Sequence, residues 1–103
     1  MDGRQTLSVL AEVRTERFRQ DVKWGVQNHP NGTSLNNVHF RNRKYFVNEE
    51  LIATGKLTWQ DIAEEEFLEA VSETDPVKLR EELIQLAAVC VAWIECLDRR
   101  EQQ

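Results

Sequence analysis

Thirteen of the fifteen residues from Leu83 to Leu97 are apolar, and only Gln85 and Glu95 interrupt them. Upstream, Asp75-Pro76 places a capping side chain before a first-turn proline, which predicts a helix over residues 76–99. Such a helix is apolar on every side, so it has to be buried on every side. The other residues of a 103-residue chain are too few to wrap it. Partner subunits are therefore expected to supply the remaining cover, in a homodimer or a dimer of dimers. Fifteen residues fall short of the roughly 20 that span a bilayer, so the segment reads as core and no membrane partner is expected.

The rest of the chain reads as helix too. Only four Gly and two Pro break it. Leu7, Leu10, Val13 and Phe18 lie near a helical period and predict a first helix over residues 7–23. A polar loop over residues 25–37 contains His29-Pro30-Asn31-Gly32. A second helix is expected over residues 38–54, stopping at Gly55. Thr58-Trp59-Gln60-Asp61 resembles a capping box that opens a third helix running to about residue 73. The expected fold is a single all-α domain over residues 1–103, a four-helix bundle completed by oligomerisation.

Several function classes drop out. The net charge is −5, which argues against a nucleic-acid partner held by phosphate attraction. Cys90 and Cys96, on one helix, would lie about 9 Å apart along its axis, beyond disulfide reach. Reduced thiols and no apolar leader at the start of the chain point to a cytoplasmic location. His29 and His39 have no cysteine near them that would suggest zinc. There is no Gly-rich phosphate loop and no nucleophile–base arrangement.

Charge is spread unevenly. Residues 1–60 hold nine basic and six acidic side chains, whereas residues 61–82 hold nine acidic ones against only Lys78 and Arg80. On a helical projection, Glu66 shares its face with Trp59, Ile62, Ala63 and Ala70, and Glu69 and Glu73 lie at the edge of that stripe. Glu64 faces Gln60 and Asp61 and reads as solvated surface. On the fourth helix Glu82 is flanked by Leu79, Leu86 and Val89, and Gln85 and Lys78 share its face. A buried carboxylate without a partner costs several kcal/mol. For one helix alone, a solvated Glu-rich face would be the simpler reading. Carboxylates in the apolar seams of two consecutive helices point instead to a shared divalent cation, and an all-oxygen ligand set favours Mg²⁺ or Mn²⁺.

The run Glu65-Glu66-Phe67-Leu68-Glu69, then twelve residues, then Glu82-Leu83-Ile84-Gln85 resembles the E-E-x-x-E and E-x-x-D signature of MazG-type all-α NTP pyrophosphohydrolases. Thr58-Trp59, Asp75-Pro76 and Leu79-Arg80-Glu81-Glu82-Leu83 extend the likeness. So do Glu16-Arg17-Phe18-Arg19-Gln20, Lys23-Trp24-Gly25 and Gln27-Asn28-His29-Pro30 near the start of the chain.

The resemblance implies a MazG-like bundle that hydrolyses a nucleoside triphosphate between its α and β phosphates, with Mg²⁺ as cofactor. It also implies Glu66, Glu69, Glu82 and Gln85 as metal ligands. Gln85 departs from the pattern, which expects Asp, and removes one negative charge while keeping an amide oxygen. Glu65, beside the ligands on a more polar face, is the candidate for orienting or deprotonating water. Lys78, one turn before Glu82, is a candidate phosphate contact or else a surface partner of Glu82. Arg17, Lys23 and Lys44 are weaker phosphate candidates, and Trp24 is a candidate base-stacking side chain. Two alternatives stand beside the enzyme: a MazG-like nucleotide-binding or regulatory module with little or no turnover, and a purely structural helical oligomer.

Overall fold

The structure, a computed structural model, describes residues 3–101. It contains four helices, α1 (Gly3–Trp24), α2 (Val38–Ala53), α3 (Trp59–Ser72) and α4 (Pro76–Glu101), with a 3₁₀ turn at Leu35–Asn37. No strand occurs among the described residues. All four expected helices are present, and the class is all-α. α1 begins four residues earlier than its apolar period suggests. Tertiary bonds hold that extra turn: Gln5 Nε2 donates to the Glu95 carbonyl and Thr6 Oγ1 donates to the Glu95 carboxylate. Bonds some ninety positions away leave no trace in local periodicity.

The described residues form two compact units. One covers residues 32–90, with the 3₁₀ turn, α2, α3 and the first part of α4. The other covers residues 3–31 and 91–101, with α1 and the last part of α4.

In the 32–90 unit the chain breaks are built as the residues dictate. Gly55 takes φ of 69° and closes α2, with Gly55 N–H donating to Ile52 and Lys56 N–H to Leu51. This Schellman pair satisfies two of the last carbonyls of the helix. Thr58 accepts from the Asp61 amide while the Asp61 carboxylate accepts from Thr58 N–H, so the expected capping box opens α3. At the far end of α3, Ser34 N–H and Asn37 Nδ2 both donate to the Val71 carbonyl, so the 3₁₀ turn seals that terminus. Asp75 accepts from Lys78 N–H at the start of α4.

Burial is sparse. In the 32–90 unit Ala70 and Leu79 are buried, yet Phe67, Leu83 and Ile84 are 53%, 49% and 58% exposed. In the other unit Val9 and Val91 are buried, while Leu7, Leu10 and Leu97 are exposed. Glu95, also buried there, is the second polar break in the apolar run and is held by Thr6. The apolar run of α4 is thus left uncovered at several positions. No helix among the described residues is long and apolar enough to cross a membrane.

Candidate metal centre

Four carboxylates converge in the 32–90 unit. Glu65 and Glu66 are neighbours on α3 and Glu69 lies one turn on, and one oxygen from each lies within 4.8 Å of the others. Across from them on α4, Glu82 is hydrogen-bonded to Glu69. Two carboxylates can share a bond of that kind only if one keeps its proton. Burial, that bond and the charges of Glu69, Glu66 and Glu73 push the pKa of Glu82 up to about 7. Glu66 is also raised, first by burial and then by the charges of Glu69 and Glu65.

α2 supplies the donors that hold this face in place. Tyr45 Oη donates to Glu69 Oε1 at 2.8 Å, and burial followed by that bond keeps the phenol protonated far above its ordinary range. Asn48 Nδ2 donates to Glu65 Oε1 at 3.2 Å and to the Asp61 carbonyl at 3.1 Å. Lys44 Nζ sits 2.9 Å from both Asp61 Oδ1 and Glu64 Oε2. Burial opposes the Lys44 charge, but its bonds to Asp61 and Glu64 outweigh burial and raise its pKa. Asp61 falls to about 2 through its bond from Thr58, then from Lys44. Glu64 is lowered by Gln60, then by Lys44.

The carboxylates therefore sort into two groups. Asp61 and Glu64 share the single positive charge of Lys44, which is thereby engaged and not free for a phosphate. Among Glu65, Glu66, Glu69 and Glu82 the partners recorded are uncharged donors, Tyr45 and Asn48, or one another. Two oxygens of this second group, Glu66 Oε2 and Glu82 Oε2, are buried without a hydrogen-bond partner. A buried carboxylate oxygen with no donor is stabilised by a cation once its carboxyl is ionised. A carboxylate set of this kind suits a hard divalent ion such as Mg²⁺ or Mn²⁺.

Other expected residues lie away from this cluster in sequence or are exposed. Gln85 is exposed one turn beyond Glu82 on α4, and Lys78 is exposed one turn before it. Arg17, Lys23 and Trp24 belong to the other unit. There Arg17 is engaged by Gln20 and Asp21 on its own helix, and Lys23 Nζ lies 4.9 Å from the centre of the Trp24 ring. The residues that sequence reasoning passed over are Tyr45 and Asn48. Their signal was available, since Lys44, Tyr45 and Asn48 fall at helical spacing on one face of α2.

No protein-family model, no curated protein and no solved structure matches the chain.

Proposed function

We propose that the protein is a divalent-cation-dependent nucleoside triphosphate pyrophosphohydrolase of the MazG-like kind, converting NTP and water to NMP and pyrophosphate. The observation that carries this reading is the cluster of Glu65, Glu66 and Glu69 on α3, with Glu82 beside Glu69 on α4, in which two buried carboxyl oxygens have no donor. The motif spacing that brings these four side chains together is the one that resembles that family.

Glu66, Glu69 and Glu82 would hold the cation, Mg²⁺ or Mn²⁺. Once bound, it offsets the charge of the triphosphate and polarises the reacting phosphoryl group. To serve as a ligand Glu82 would have to give up its proton and its bond to Glu69. Glu65 Oε1 is fixed by Asn48 Nδ2, and the Glu65 carboxylate accepts the proton of the attacking water. The water oxygen forms a bond to the α phosphorus. The bond from that phosphorus to the bridging oxygen breaks, and pyrophosphate leaves with the electron pair. Lys78 contacts the phosphates from its exposed position before Glu82.

A second copy of the chain covers the exposed apolar side chains of α4, since a chain folding alone would leave Leu83 and Ile84 in water at a cost of ~1–2 kcal/mol each. Gln85 favours a second reading, a module that binds nucleotide without turning it over, because a neutral amide stands where the motif expects a carboxylate.

One experiment separates the two. The common NTPs and dNTPs are incubated with the protein and Mg²⁺ or Mn²⁺, and products are identified by phosphorus NMR. Monophosphate plus pyrophosphate supports the enzyme. Retained triphosphate, with binding seen by calorimetry, supports the module.

A further inference from the structure

The metal reading leaves one buried atom unexplained. Asn48 is 3% exposed, and both bonds recorded for its amide run through Nδ2, to Glu65 Oε1 and to the Asp61 carbonyl. Those two acceptors fix the amide orientation, because a flipped amide would set oxygen against oxygen at both contacts. Oδ1 is left buried without a donor. The oxygens so recorded are Asn48 Oδ1, Glu66 Oε2 and Glu82 Oε2, one from each of α2, α3 and α4.

Oδ1 and Nδ2 share one carbon, so they are at most ~2.6 Å apart. With Nδ2 at 3.2 Å from Glu65 Oε1, Oδ1 lies within about 6 Å of that oxygen. An amide oxygen is a ligand of the hard, neutral type that Mg²⁺ and Mn²⁺ accept. Gln85, the amide that the motif spacing offers, is exposed.

We propose that the amide ligand of the cation site is Asn48, contributed by α2, and not Gln85 on α4. This rests on the metal reading above and adds a third helix to it. The site then ties α2, α3 and α4 together, and Asn48 serves it at both ends of its amide. Nδ2 holds Glu65 in place, and Oδ1 would be the oxygen offered to the ion.

The test is calorimetric titration of Mg²⁺ into the wild-type protein and the variants Asn48→Asp, Asn48→Leu and Gln85→Asp, with melting temperatures taken in chelator. Asn48→Asp and Gln85→Asp add the same charge at a buried and at an exposed position, and Asn48→Leu removes the amide oxygen without adding charge, so the three together separate ligation from general electrostatics. Asn48→Asp is expected to bind Mg²⁺ ~10-fold or more tightly than wild type and to exceed Gln85→Asp, because carboxylate count strengthens a hard-cation site. In chelator it should melt lower than wild type, having lost both Nδ2 bonds and set a like charge beside Glu65. Asn48→Leu should lose ~10-fold or more in affinity. If Asn48→Leu fails to fold, the isosteric Asn48→Asp decides.

A gain for Gln85→Asp equal to or larger than that for Asn48→Asp would overturn the assignment. So would unchanged affinity in both Asn48 variants. A wild-type protein that binds neither Mg²⁺ nor Mn²⁺ would overturn the metal reading along with it, whereas normal wild-type binding with indifferent Asn48 variants would remove only Asn48.

Discussion

Tyr45 on α2 donates its hydroxyl to Glu69 on α3 at 2.8 Å, and Glu69 in turn accepts from Glu82 on α4. A neutral donor thus stands where a lysine would have cancelled the charge. The arrangement orients Glu69 without adding a positive charge beside it. One turn away on the same pair of helices, Lys44 pairs with Asp61 and Glu64. The two contacts set a boundary between carboxylates paired with a lysine and carboxylates whose donors are uncharged.

Tyr45→Phe removes that donor and little else. Hydrogen bonds to charged groups contribute ~1.5–3 kcal/mol when buried and less when partly open. A loss of ~1–2 kcal/mol in unfolding free energy is expected for this half-buried pair, measured by urea titration in chelator. An unchanged midpoint would mean that water replaces the phenol without loss.

Glu82 makes stability depend on pH in an unusual direction for a carboxylate. Its ordinary value is 4.5 and its folded value is about 7. Between these the folded state holds a proton that the unfolded state has released, so stability falls as pH rises through this window. The full contribution is present below pH 4.5 and is gone above about 7. Melting temperatures in chelator should decline across that range, and Glu82→Gln should flatten the decline. Saturating Mg²⁺ should flatten it as well.

Lys44→Met should act in the opposite pH sense. Asp61 is ordinarily protonated near 3.8 and is held down to about 2. The stability it draws from Thr58 and Lys44 is therefore present above 3.8 and is lost as pH falls through about 2. The variant should show a lower urea midpoint than wild type at neutral pH, with the gap closing towards pH 2. A constant gap would assign the loss to the packing of the lysine stem.

Glu66→Ala should abolish cation-dependent turnover and leave the fold intact. Its carboxyl has one buried oxygen without a partner and lies among like charges, whereas alanine carries no such penalty. Melting in chelator should occur at the same or a higher temperature. Full activity in the variant would remove Glu66 from the site.

The uncovered apolar side chains of α4 give a separate expectation. Light scattering at micromolar concentration should report a dimer or a dimer of dimers, and Ile84→Asp should reduce it to smaller species. A monomer of ordinary stability would show that the helix tolerates water along its length.

Much of this architecture was legible in the residues. Thr58 with Asp61, Gly55, and Asp75 before Pro76 marked three helix boundaries because capping chemistry is local, and a few residues carry it completely. The interruption of an apolar stripe by Glu66, and of a second one by Glu82, marked the site for the same reason. What stayed hidden depends on residues far apart in the chain. Periodicity says nothing of Gln5 reaching Glu95, so the first turn of α1 was missed. It equally says nothing of what Lys44, Tyr45 and Asn48 would find opposite them on α3. Lys44 looked like a free cation, and the structure gives it two carboxylates.

Asp61 fills three roles at once. Its side chain completes the capping box with Thr58, the same carboxylate receives Lys44, and its carbonyl accepts from Asn48. The first turn of α3 is the costly step in forming that helix, and here it is stabilised by groups that α2 delivers. Nucleation of α3 and docking of α2 therefore form one cooperative event. Amide protons at the start of α3 should exchange with solvent in step with those around Lys44 and Asn48, as members of a single foldon.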